Sequence, residues 1–170
     1  MRAGLLLTAL LFAACSGAPS SQLSAAPAEP VRILAQGLSI AFEEPFSVFA
    51  ATNLTEHEAL WDRLDHPTDT PDVDFERELV VYLGMAGSSS CPESFQRLIV
   101  DLDANRVHGE WQNLSPGNAC TDDLAAQGVL LAVSRAELPT TPFILSLRAQ
   151  PICADCPEHP DQMVVDPAAR

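Results

Sequence analysis

Lysine is missing from this chain: all nine basic residues among its 170 are arginine, against 23 Asp and Glu, giving a formal charge of −14 and an isoelectric point near 4.4. So acidic a surface repels phosphate backbones and anionic headgroups, which argues against nucleic acid as a partner and against electrostatic adsorption to a membrane. The lysine gap beside many Ala, Pro and Arg reads as the mark of a GC-rich genome rather than of a function. Catalytic motifs are scarce too. His57-Glu58 has no second histidine at zinc-protease spacing, and Ser88-Ser89-Ser90 has no G-x-S-x-G frame. Asp101 to Asn105 begins like an EF-hand loop, but Arg106 stands where Gly is needed and Gln112 where a bidentate Glu belongs, so a hairpin turn is the simpler reading. None of the four histidines sits in a context that marks it as the base for a serine nucleophile. The expectation is a protein without catalytic residues or cofactor.

What is present begins with an address. Arg2 supplies a short positive segment, and Leu5 to Ala14 form an apolar run of signal-peptide length, too short to span a bilayer as a helix. The run stops at a cysteine. Leu11-Phe12-Ala13-Ala14-Cys15 resembles the lipobox of bacterial lipoproteins, with Phe12 where Leu is usual. The resemblance implies cleavage after residue 14 and a diacylglycerol thioether on Cys15; the alternative is a plain secretory signal with an incidental cysteine. A lipidated Cys15 implies a membrane partner through the anchor, and Ser16 as second mature residue implies the outer membrane if the envelope has two. Residues 15–30, rich in Ser, Ala and Pro without apolar periodicity, read as a disordered linker reaching about 40 Å if extended.

At 47% hydrophobic, the remaining length suits one domain, expected over residues 31–149, with a proline-rich extended tail over 150–170. "GLSIAF" and "FSVFAAT" are β-prone. Thr55-Glu56-His57-Glu58 has the form of a capping box, followed by Leu60, Trp61 and Leu64 at helical spacing, which predicts a helix over 55–64. "RELVVYLGM", "SFQRLIVDL", "RVHGEWQ", "GVLLAVSR" and "PFILSLRA" then read as strands, some buried on both faces. The fold expected is mainly β (α+β): a small antiparallel sheet or barrel-like domain with one short helix. Trp61 and Trp111 are expected in its core.

With Cys15 assigned to lipid, Cys91, Cys120, Cys153 and Cys156 remain, an even number for an oxidising compartment. Three pairings are possible. Cys91 with Cys120 and Cys153 with Cys156 are favoured, since Cys91 opens the loop after one strand and Cys120 lies in the loop before another. Cys153-Ala154-Asp155-Cys156, with His159 close behind, also raises a thiol-redox pair or a metal site, although Pro151 and Pro157 bracket the pair and no fourth zinc ligand lies nearby.

Residues 72–148 resemble the PrcB-like domain of bacterial envelope lipoproteins. The likeness is carried by Asp74-Phe75, the apolar strand Val80-Val81-Tyr82-Leu83-Gly84, the Gly87 turn and the later "PFILSLR" strand; Ser88-Ser89-Ser90-Cys91-Pro92 replaces that family's Gly-Gly-Tyr turn. It implies a non-catalytic β-rich module that stabilises an envelope partner such as a protease. Ser88, Ser89, Ser90 and Pro92, with the Ser115 to Asp123 loop, are the candidate contact residues. Two functions of different kind result: a binding or stabilising envelope lipoprotein, or an envelope thiol or metal protein using Cys153, Cys156 and His159.

Overall fold

The computed structural model describes residues 30–40, 46–64, 69–117, 119–123, 125–149 and 161–169. Their strands are β1 (Val31–Leu38), β2 (Ser47–Ala51), β3 (Glu78–Gly84), β4 (Ala86–Gly87), β5 (Glu93–Asp101), β6 (Arg106–Asn113), β7 (Ala125–Ala126), β8 (Gly128–Ser134), β9 (Phe143–Ser146) and β10 (Gln162–Val165). Helix α1 (Leu54–Arg63) and a single 3₁₀ turn at Arg135–Glu137 complete them. One sheet has the order β1-β8-β3-β2, a second β10-β9-β6-β5, and β4 pairs with β7 in a short ladder of its own. Pairing is antiparallel except between β6 and β9. The mainly β, α+β expectation holds in its open-sheet form: the sheets stack rather than close into a barrel.

The layering follows from β3 and β8. Apolar side chains at successive positions of a strand point to opposite faces, so a run such as "LVVYL" must be covered on both sides. Leu79, Val81 and Leu83 of β3, with Val129, Leu131 and Val133 of β8, pack against Val107, Phe143, Leu145 and Val165 of the second sheet. Val80, Tyr82 and Leu130 face the other way, toward Leu60 and Trp61 of the helix and Leu64 at its C-terminal cap. The order is helix, sheet, sheet. Trp61 lies in the core as expected, and Trp111 packs half-buried at its margin, edge-on to Phe95 at 5.5 Å between ring centroids. Gly109 makes room for it: a Cβ there would come within 2.7 Å of the indole nitrogen, which donates to Leu147 O at 3.0 Å.

Three elements depart from the sequence reading. The first strand among the described residues occupies "VRILAQGL", so only Gly37 and Leu38 of "GLSIAF" lie in it, and Ala41 and Phe42 fall outside the described residues; it is an edge strand with register shifts at Ile33/Ala35 and Gln36/Leu38, which blur the alternation that would have revealed it. The helix starts earlier, at Leu54, capped by Asn53, whose side chain accepts from Glu56 N at 3.0 Å. Glu56 in turn accepts from Thr52 N at 2.7 Å and Thr52 Oγ1 at 2.9 Å, so the box closes around Asn53 and not Thr55. Finally, the domain does not end at 149. β10 pairs with β9 along four residues, and Val165 is 3% exposed in the main core, because a four-residue strand beyond a proline-rich stretch is too short to show periodicity.

Candidate functional site

The turn after β3 and β4 carries the candidate residues. Cys91 N donates to Ser88 O at 3.1 Å, closing a tight turn with Ser89 and Ser90 exposed at its tip and Cys91 buried at its base. Opposite lies the segment Ala119–Asp123. The predicted Cys91–Cys120 disulfide joins the two, with 5.4 Å between Cα atoms. The Ser88 hydroxyl sits 2.9 Å from both Ser90 Oγ and Thr121 Oγ1, and Thr121 N donates to Ser90 Oγ at 2.9 Å. Ser89 and Thr121 donate their hydroxyls to the two oxygens of the Asp123 carboxylate, and Ser88 reaches the same group at 3.3 Å. These bonds, that from Ser89 foremost, hold the Asp123 carboxyl down to about 2, so it is ionised at any ordinary pH.

A second tie lies just behind. Ala86 pairs with Ala126 and Gly87 with Ala125, Gln127 N donates to Met85 O at 2.8 Å, and Leu114 N to Pro92 O at 2.9 Å. Gln127 is oriented by its side-chain oxygen, which accepts from Glu93 N at 2.8 Å. Together the two loops form a clasp over one pole of the stacked sheets. Beside it a cleft of about 240 Å³ opens between the edge strands β1 and β5, lined by Gln36, Glu93, Phe95, Leu114, Gln127 and Val129.

Chemically the clasp is a hydroxyl and carboxylate surface. Among the described residues its serines bond one another, Thr121 and Asp123, and none bonds a histidine. His57 is fully buried, its Nε2 3.1 Å from Pro71 O and its ring between Trp61 and Phe75. His108 lies on β6, its pKa lowered by burial and by the Arg106 guanidinium. Asp101 to Asn105 form the β5–β6 turn, in which Asp101 Oδ1 accepts from Ala104 N at 2.9 Å and Asn105 takes φ 48°. Among the described residues no group of three or more His, Cys, Asp or Glu could hold a metal, and no helix is long and apolar enough to cross a membrane.

Ser88, Ser89, Ser90, Pro92, Cys91 and Cys120 are thus brought together. Cys15, Cys153, Cys156 and His159 lie outside the described residues. Sequence reasoning named the Ser115 to Asp123 loop but missed the individual parts of Thr121, Asp123 and Gln127; Thr121 and Asp123 follow Cys120 directly, so the disulfide pairing itself was the available signal. Compared with protein-family models, curated proteins and solved structures, the chain matches none.

Proposed function

We propose that this chain is a cell-envelope lipoprotein, anchored through Cys15, that acts without catalysis as a binding or stabilising module for another envelope protein. The observation that carries this reading is polarity of position. Residue 31, where the Ser/Ala/Pro-rich linker ends, begins β1 beside the end of β8, with Ser134 N donating to Pro30 O at 2.9 Å. Ser88 to Pro92 follow the far end of β3, and Leu38 at the far end of β1 pairs with Gly128, next to the clasp. Eight strand residues separate these poles by about 25 Å. A domain tethered at Val31 therefore has its clasp at the pole opposite the tether, where the linker leaves it clear for a partner.

The loops suit contact because the Cys91–Cys120 disulfide holds them in one shape, which reduces the entropy lost on binding. A protease is the partner class proposed, on the likeness of Asp74-Phe75, the Val80 to Gly84 strand and the Gly87 turn to the PrcB-like pattern, which no family model matched. In-cell photocrosslinking tests the proposal, with the crosslinker placed at Ser89, at Asp122 or at Glu58 on the helix. The expected result is one discrete adduct from Ser89 and Asp122, lost when Cys15→Ser removes the anchor, and none from Glu58. Equal labelling from the helix position, or no adduct from the clasp, would refute it.

A further inference from the structure

The clasp is held by ties of unequal strength. Its outer seam consists of hydrogen bonds among exposed side chains, each of which exchanges readily for water, and its inner one of a ladder only two residue pairs long with the flanking bonds of Gln127 to Met85 and Glu93 and of Leu114 to Pro92, a set too short to persist alone. Neither apolar core takes a residue from between Trp111 and Val129 among the described residues, so opening this segment removes no side chain from either core.

The disulfide is the exception, and its position in the chain matters. Cys91 and Cys120 are separated by 29 residues, but most of that span is the β5–β6 hairpin, whose ladder already sets Glu93 opposite Asn113. In the folded protein the β5–β6 ladder fixes the chain up to Asn113 and the β1–β8 ladder from Gly128, and the bridge is the covalent tie on the segment between them. Leu114 and Gln127, at the two ends of the segment thus held, line the cleft between β1 and β5.

We propose that Cys91–Cys120 is a redox-operated latch: reduction by a dithiol frees the segment between Asn113 and Gly128 and widens the cleft while the stacked sheets stay folded. Cys120 is exposed and Cys91 is 6% exposed, so attack falls on the Cys120 side. A reductant thiolate bonds to Cys120 Sγ, the sulfur–sulfur bond breaks, and its electron pair leaves on Cys91 Sγ, which takes up a proton. The second thiolate of the reductant then displaces Cys120 Sγ, which is protonated in turn. Two electrons pass to the protein, and the dithiol becomes a disulfide. The oxidised protein presents a closed clasp beside a cleft of fixed shape, the reduced one a wider cleft with mobile walls. This inference rests on the clasp geometry alone and stands whether or not the partner reading does.

Hydrogen exchange on the full chain, resolved by peptide, tests it in two forms: the native protein reduced with dithiothreitol, and the Cys91→Ser/Cys120→Ser variant, which leaves Cys153 and Cys156 untouched. Alkylation of Cys91 and Cys120 verifies reduction. The expected result in both forms is about tenfold or greater acceleration at residues 86–93 and 114–127, with 79–84 and 129–133 unchanged. Unchanged exchange in the clasp overturns the proposal, as does a bridge that resists the dithiol in the folded protein. Acceleration of the central strands in step with the clasp also overturns it, since the bridge would then hold the whole fold.

Discussion

Tyr82 carries a phenol into the layer between the first sheet and α1, where it is 1% exposed. Two glycines admit it. A Cβ on Gly84 would lie 2.7 Å from the ring, and one on Gly128 2.7 Å from the hydroxyl and 2.5 Å from Leu38 O, so neither position accepts alanine without displacing the ring or the backbone. The hydroxyl donates to Leu38 O at 3.4 Å, a long and weak bond, while burial pushes its pKa up to about 12. Because the neutral phenol is favoured more in the folded than in the unfolded chain, its share of stability is complete below pH 10 and disappears as pH rises toward 12. Tyr82 is the only tyrosine in the chain, so tyrosinate absorbance reports it without ambiguity. The step is expected near pH 12 and absent in Tyr82→Phe. A step at the ordinary value near 10 in folded protein would contradict the burial.

Helix α1 shows how a cap is chosen. Its buried side is His57, Leu60 and Trp61, and Arg63 in the last turn lies 4.4 Å over the Phe49 ring. Asn53 has extended backbone and satisfies Glu56 N, leaving Thr55 as an ordinary first-turn residue. Asn53→Ala should therefore cost about 1 kcal/mol and Thr55→Ala well under half of that, read as shifts in urea midpoint. The reverse order would restore the cap at Thr55. This element was legible in outline because Leu60, Trp61 and Leu64 recur at helical spacing, but its start was not, since Asn53 and Thr55 are both good capping residues and only the backbone decides between them. β3 and β8 were legible for the opposite reason: an unbroken apolar run has few places to go except the middle of a layered fold. β4, β7 and β10 are too short for any period to show. In the clasp, cysteine count and loop position pointed to the bridge, whereas the approach of Ser89 to Asp123 spans 34 residues and depends on the two loops meeting at one pole.

Considered entire, the molecule depends on its last strand more than the position of that strand suggests. β10 covers one margin of the second sheet, placing Val165 in the main core with Met163 packed against it. Just beyond, Pro167 O accepts from the Arg135 guanidinium. The same side chain donates to Phe75 O at 3.2 Å, Glu78 O at 3.1 Å and Thr52 O at 2.8 Å, so a single arginine joins the strand ends at the pole opposite the clasp. Two truncations separate these contributions. A chain ending at Asp166 keeps β10 and loses the Pro167 carbonyl together with the exposed turn in which Ala168 N and Ala169 N donate to Asp166, which should cost about 1 kcal/mol. A chain ending at Asp161 also loses the packing of Val165 and Met163 and the hydrogen bonds along β9, and should fall by about 4 kcal/mol or more. Urea unfolding of both beside the full chain decides the matter. Equal midpoints for the full chain and the shorter truncation would mean that β10 is an ornament on the sheet, and the domain would then end near 149. A large loss confined to the shorter chain would make the C-terminal residues part of the same cooperative unit as β3 and β8, with the clasp free to open at the other pole.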